Sequence, residues 1–310
     1  MHQLTDLSLS NFIFATYAGK NSEITVELAK CICQLKNLKK LDVSYNYHLE
    51  NEVVELISEL RELRELNIRY CDIGVEEVKY LTKLDKLHSL DIGINQIYAD
   101  GAKLLSTMKS LTKLDVAECE IGDEGCQSIT ELYQLTDLNI NGDGIGVGGA
   151  NCIGQMRNLK SLDISNNFFG NYGAKSISEL SQLEILNVSY SDIDEVGVYQ
   201  LRKLKNLTSL SIHHNEITDE GTKYIVELDQ LTHLDISNNQ IETEGAKSIS
   251  EMSQLTSLNI SSNIIGDEGA QYISHLKKLT SLNVSKCRVS EEGVESIRKQ
   301  LKHLKTLEVE

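Results

Sequence analysis

The sequence predicts an α/β solenoid, a single stack of short parallel strands with helices behind them, and three observations carry that prediction. Leu63, Leu87, Leu111, Leu135, Leu159, Leu183, Leu207, Leu231, Leu255 and Leu279 recur at intervals of 24 residues, and segments 159–182 and 231–254 agree at 16 of 24 positions. Inside each unit the apolar pattern changes from period two to period three, the signature of a strand followed by a helix. The chain has 310 residues, 40% apolar and 25% charged, with no proline, which fits a folded protein and excludes proline-rich linkers.

The strand comes first in each unit. Leu234, Asp235 and Ile236 alternate apolar and polar, so Leu and Ile face inward and Asp outward. The helix follows: Ala246, Ile249 and Met252 are three apart and share one face of a helix of about ten residues. Neither element buries its apolar side alone, so the units stack around a continuous core. Parallel strands stack about 4.8 Å apart while helices need 8–10 Å, which makes the strand side concave and the helix side convex. Strand, crossover and parallel strand turn right-handedly. The predicted organisation is one domain over 1–310: an atypical unit or cap over 1–37, regular repeats over 38–303, and the start of a terminal strand over 304–310. The stretch Ile24 to Leu35, carrying Cys31 and Cys33, reads as a longer helix, and Leu304 to Val309 begins a strand without an evident polar cap, as in a fragment of a longer array.

The unit pattern, L-x-x-L-x-[IV]-x-x-[NCDS]-x-[IVF], resembles that of leucine-rich repeat proteins over nearly the whole chain. Ile265-Gly266-Asp267-Glu268-Gly269-Ala270 and Gly245-Ala246-Lys247-Ser248-Ile249 are similar to GALA-type 24-residue repeats, and more distantly to ribonuclease-inhibitor repeats. The resemblance implies a right-handed horseshoe that recognises other proteins. The GALA likeness implies, as an alternative, the substrate-receptor part of a ubiquitin-ligase assembly whose F-box is absent from this chain.

Asn46, Asn95, Asn167, Asn215, Asn239 and Asn263 fill the ninth position, where the chain leaves the strand, and read as scaffold amides. Cys71, Cys119 and Cys287 replace Asn there, as the family pattern allows; Asp143 and Ser191 are weaker departures. Fifteen acidic residues precede the helices, among them Glu77, Asp194, Asp219 and Asp267, and read as helix capping that accounts for most of the formal charge of −16. The glycines at 101, 125, 149, 173, 197, 221, 245, 269 and 293 permit a tight turn or close approach. Gly142, Gly144, Gly146, Gly148 and Gly149 superficially suggest a phosphate cradle, but no G-x-x-x-x-G-K-[ST] motif or nearby basic residue accompanies them.

Strand positions three, five, seven and eight are expected to point into the concavity. The fifth forms a polar ladder: Asp42, Asn67, Asp91, Asp115, Asn139, Asp163, Asn187, Ser211, Asp235, Asn259 and Asn283. Departures from this polar face mark candidate partner-binding residues, because interface anchors favour Tyr, Trp and Arg. One cluster combines Lys40, Tyr45, Glu65, Arg69, Tyr70, Ile94, Lys113 and Glu118; a second combines Ile185, Tyr190, His213, His214 and His233. The histidines lack a Cys that would complete a zinc set, and no nucleophile–base–acid constellation stands out, so neither metal nor cofactor nor catalysis is expected.

The acidic balance argues against nucleic acid. No apolar stretch is long enough for a membrane span and Met1 to Lys20 lacks a signal-peptide pattern. Seven cysteines without paired spacing suit a reducing compartment. The expected location is cytoplasmic, or inside a host cell reached by a route the sequence does not display. The sequons at Asn187, Asn206, Asn259 and Asn283 would suit an extracellular module, but three of them lie on the ladder, where glycans would block binding, and they read as fortuitous.

Overall fold

The computed structural model describes residues 4–10 and 24–310; the rest of the atypical first unit lies outside the described residues. The chain divides into two compact units, with the boundary between Ile145 and Gly146.

In the first unit the strands are β1 (Asp6–Ser8), β2 (Lys40–Asp42), β3 (Glu65–Asn67), β4 (Ser89–Asp91), β5 (Lys113–Asp115) and β6 (Asp137–Asn139), and the helices α1 (Val26–Ile32), α2 (Asn51–Ile57), α3 (Val75–Leu81), α4 (Tyr98–Leu105) and α5 (Gly122–Ile129). Each strand pairs in parallel with the next, and one leucine per coil stays in register from Leu7 through Leu41, Leu66, Leu90 and Leu114 to Leu138. The second unit repeats the plan. Its helices are α6 (Val147–Ile153), α7 (Gly170–Ile177), α8 (Glu195–Leu201), α9 (Asp219–Ile225), α10 (Thr243–Ile249), α11 (Gly266–Ile273) and α12 (Glu291–Gln300). Its strands are β7 (Ser161–Asp163), β8 (Ile185–Asn187), β9 (Ser209–Ser211), β10 (His233–Asp235), β11 (Ser257–Asn259), β12 (Ser281–Asn283) and β13 (Thr306–Glu308), in register from Leu162 to Leu307.

The leucines that set the period are buried, Leu63, Leu111 and Leu255 completely, and Ile68, Ile129 and Ile249 close the core from the strand exit and the helix. Most helices have seven or eight residues, fewer than the ten the period suggests. The chain then tightens into successive three-residue turns, as where the Leu60 N–H donates to Ile57 O (3.0 Å) and the Leu63 N–H to Leu60 O (3.0 Å). These turns return Leu60 and Leu63 to the core at a different pitch from the helix. The longer helix expected over Ile24 to Leu35 is likewise corrected to the seven residues of α1, with Cys33 at its C-cap.

Two further expectations sharpen. The recurrent glycines before the helices do not serve positive φ, since those in the row carry ordinary negative values. They serve close approach: a Cβ on Gly125 would lie 2.6 Å from Ile121 Cβ and 3.2 Å from Ala102 Cβ of the preceding coil. Gly125→Ala is therefore expected to destabilise the protein, because overpacking costs about 1–3 kcal/mol and outweighs the roughly 1 kcal/mol of helix propensity gained; a lowered thermal midpoint is the check. The acidic residues divide their work. Asp194 accepts from the Val196 N–H (2.7 Å) and Glu77 from the Gly74 N–H (2.8 Å), capping their own helices, while Asp219 and Asp267 accept from Glu242 and Ser290 N–H groups of the next coil (2.7 Å each).

Candidate functional site

The strand face is built on two internal hydrogen-bond systems. At the ninth position, Asn95 Nδ2 donates to Ile92 O (2.7 Å), Ile68 O (3.0 Å) and Gly93 O (3.1 Å), while its Oδ1 accepts from the Ile73 and Cys71 N–H groups (2.9 and 3.0 Å). Asn215, Asn239 and Asn263 repeat the donation to three carbonyls. Where Cys stands instead, the thiol donates to the preceding coil, as from Cys71 Sγ to Val43 O (3.2 Å) and from Cys119 Sγ to Ile92 O (3.3 Å). Burial pushes the Cys71 thiol up to about 12 and raises Cys119 as well, so both keep the proton they donate.

The fifth-position ladder is half-buried and bonded, not the solvated polar face the strand pattern suggests. Its Oδ1 accepts the backbone N–H two residues on, as from Ser44 to Asp42, Ala117 to Asp115 and Ser237 to Asp235 (3.0 Å each), closing an Asx turn at the strand end. Asn alternates with Asp for a reason the sequence alone does not show. The amide donates back to the carboxylate of the preceding coil: Asn139 to Asp115 (2.8 Å), Asn187 to Asp163 (2.9 Å) and Asn259 to Asp235 (3.0 Å). The seventh position, expected to be open, is occupied mostly by small buried residues such as Ser44, Gly93, Ala117, Ser189 and Ser237 packed down against this ladder.

Arg69 and His213 are larger side chains at the seventh position, and Arg69 turns inward. Its guanidinium reaches over two strands, Nη1 lying 3.6 Å from Asp91 Oδ1 and 3.2 Å from Asp115 Oδ1. These two carboxylates follow each other with no Asn between them, and the bare backbone of Gly93 leaves the space Arg69 fills, since a Cβ there would collide with Arg69 Nη1. Burial, and then Asp115, push Asp91 up to about 6, while Arg69 draws it back.

The eighth position stands clear of both systems, and it carries the free surface. Every residue there, from Tyr45 (φ 59°) through Tyr70 (53°), Ile94 (53°), Glu118 (55°), Asn166 (55°), Tyr190 (52°), His214 (54°), Asn238 (50°) and Ser262 (56°) to Lys286 (55°), is left-handed, as is Gly142 (68°).

In the first unit this row brings together Tyr45 and Tyr70, 46% and 42% exposed, with ring centroids 5.9 Å apart, and half-buried Ile94 on the next coil. Lys40 pairs with Glu65 (2.8 Å) on the exposed third position and Lys113 pairs with Asp137 (3.3 Å), while Glu118 is exposed. Arg69 belongs to the same cluster but sits beneath it. The sequence reading missed Tyr47, 59% exposed and 5.6 Å from the Tyr70 ring, because the unit from Leu38 has one extra residue and loses the count.

In the second unit the Tyr190 ring stacks on His214 (4.1 Å, 19°) and meets His213 edge-on (5.1 Å), and Ile185 is 49% exposed. His233 lies on the third-position row and contacts Thr232 Oγ1 through Nδ1 (2.9 Å), so the structure shows it bonded there rather than to the other two histidines. Among the described residues no three His, Cys, Asp or Glu side chains are grouped to hold a metal ion, and no helix is long and apolar enough to cross a membrane. The four sequon amides all donate between coils: Asn187 to Asp163, Asn206 to Ser181 O (2.9 Å), Asn259 to Asp235 and Asn283 to Glu308 (2.7 Å).

Coils of one short parallel strand and one short helix, leucines behind the strand and an asparagine row at its exit define a leucine-rich repeat protein. The profile of the leucine-rich repeat region matches residues 104–309 and that of a single leucine-rich repeat matches residues 60–81; the chain belongs to this family. No curated protein sequence matches it. Among solved structures it is similar to an internalin (inlF) from Listeria monocytogenes, with 22% identity over all of this chain and 88% of that one and a TM-score of 0.70. It is also similar to an internalin C2 of the same organism (18% identity, 93% of each chain, TM-score 0.44) and to a leucine-rich repeat protein of Leptospira interrogans (20% identity, 89% of this chain and 85% of that one, TM-score 0.47). At these identities the likeness concerns the fold. Leucine-rich repeat folds are typically protein-binding scaffolds and generally not enzymes.

Proposed function

We propose that the chain is a non-catalytic module that binds a protein partner on its strand face, with Tyr45, Tyr70 and Ile94 as anchors. Lys40, Glu65, Lys113 and Glu118 form the charged rim and Arg69 the support, and Ile185, Tyr190, His213, His214 and His233 form a second contact. One observation carries this reading: aromatic and β-branched side chains occupy backbone that disfavours them. An L-residue in the left-handed region costs about 1–2 kcal/mol, and glycine or asparagine relieves it. Gly142, Asn166 and Asn238 take that relief at the same position of other coils. Tyr and Ile do not, and a partly exposed Ile94 gains little core stability in exchange. Strain held at exposed apolar residues is strain held for a contact outside the fold.

The test separates stability from binding. Tyr70→Asn with Ile94→Asn is expected to raise the unfolding free energy, by up to ~1 kcal/mol per site, and to weaken a partner captured from the native host by at least ~2 kcal/mol. Affinity equal to wild type would reject these anchors. The formal charge of −16 supports a protein over a nucleic acid as that partner, and seven cysteines without paired spacing support a reducing compartment such as the cytoplasm. The ubiquitin-ligase alternative adds recruitment to this same contact, and the anchor variants report on binding in either case.

A further inference from the structure

A second surface lies on the edge where strands of the second unit give way to helices, apart from the proposed anchors of the first unit. Phe168 and Tyr172 are 75% and 79% exposed, the former directly before fully buried Phe169 and the latter in the first turn of α7. Val196, 56% exposed, takes the place of Tyr172 one coil on, at the start of α8. The platform beneath is fixed: Asn171 Nδ2 donates to Asp194 Oδ1 (2.8 Å) and Asn171 Oδ1 accepts from the Asp194 N–H (3.2 Å), tying the two helix starts together. The place that Phe168 fills in its coil is filled by Asp192 and Glu216 in the next two. Both border an open depression of about 440 Å³, with His214, Asn238, Gln240 and Ser262 among its other walls. Its lining is acidic and hydrogen-bonding. Of the cations on these coils, Arg202 and Lys205 pair with Glu227, Lys223 with Glu220 and Lys247 with Glu244, and Lys286 follows Ser262 one coil on, at the end of the depression away from Asp192.

We propose that this edge docks a basic peptide segment of a partner protein, an arginine side chain entering the depression between Asp192 and Glu216 while an adjacent apolar side chain covers Phe168 and Tyr172. Charge complementarity selects that occupant. A guanidinium spreads its donors over paired carboxylates and amide oxygens, and exposed aromatic rings supply the apolar anchor. A second copy of this chain is the poorer fit, because a two-fold contact apposes the same patch to itself and would set Asp192 and Glu216 against their own copies.

Fluorescence anisotropy tests this with the full chain and a labelled short peptide carrying two arginines beside a leucine–phenylalanine pair. A matched peptide with citrulline in place of both arginines is the control. The arginine peptide is expected to bind at least ~10-fold more tightly than the citrulline peptide and to weaken as salt rises. Asp192→Asn with Glu216→Gln, and separately Phe168→Ser with Tyr172→Ser, are each expected to weaken it at least ~10-fold with wild-type melting curves. Tyr70→Asn with Ile94→Asn is expected to leave it unchanged, which keeps this result independent of the first-unit anchors. Equal binding of both peptides, no binding, or insensitivity to either pair of substitutions would overturn the proposal. So would a dimer in sedimentation that Phe168→Ser with Tyr172→Ser dissolves, since the occupant would then be a second copy.

Discussion

Arg69→Ala is expected to destabilise the protein by about 2 kcal/mol, read from denaturant unfolding at neutral pH. Among the described residues the guanidinium alone pairs with two consecutive ladder carboxylates, and its removal leaves Asp91 and Asp115 facing each other across adjacent strands. Breaking a fully buried pair costs about 3–5 kcal/mol. The figure here is lower because the Arg69, Asp91 and Asp115 side chains keep 20%, 30% and 26% of their exposure, and water screens what remains. A rescue separates charge from packing. Asp115→Asn in the Arg69→Ala background recreates the Asp-then-Asn order seen at Asp163 and Asn187, where the amide donates to the carboxylate at 2.9 Å, and is expected to recover about half of the loss. The loss also depends on pH. Asp91 is held at about 6 in the fold, above the unfolded value near 3.9, so its favourable contribution is complete below about pH 4 and is lost as pH rises through about 6. Arg69 draws that value down, so its removal raises it further and the penalty grows from about pH 5 to about pH 8. A variant within ~0.5 kcal/mol of wild type at both values would contradict this account.

The repeat period, the strands and the scaffold amides were legible because each recurs at a fixed position of the coil and meets the same backbone groups in every copy. The 24-residue spacing places Leu207 and Leu231 in the core whatever their neighbours are, and the ninth-position amide of Asn239 meets carbonyls two and three residues back as well as one on the preceding coil. The fork of Arg69 depends on the coils one and two places further along, and the only local sign of it is an unexpected Gly93. Period alone also missed the left-handed eighth position: φ there is set by how one coil passes to the next, and Tyr45, Tyr70, Ile94 and Tyr190 are residue types that disguise it. Phe168 was hidden differently, beside Phe169 in a run that reads as core although only the second ring is buried.

Asp143→Asn is expected to stabilise the protein, by about 2 kcal/mol near pH 8 and by little near pH 5. Asp143 stands in the asparagine row and is 1% exposed. Its Oδ1 performs half of the amide's work, accepting from the Cys119 N–H (2.8 Å) and the Ile121 N–H (3.4 Å) as Asn95 Oδ1 accepts from Cys71 and Ile73. The other half is donation to strand-exit carbonyls, which Asn95 Nδ2 supplies at 2.7–3.1 Å and an ionised carboxylate has no proton to supply. Burial pushes Asp143 up to about 7 even though backbone N–H groups favour its charged form. With the folded value above the unfolded one, the native state binds the extra proton, and stability falls as pH climbs from about 4 through about 7. Asparagine removes that dependence and restores the donor. The gain must therefore open up across neutral pH in unfolding curves of the two proteins; a gain equal at both ends of the range, or a loss, would show that the carboxylate is not the strained member of the row.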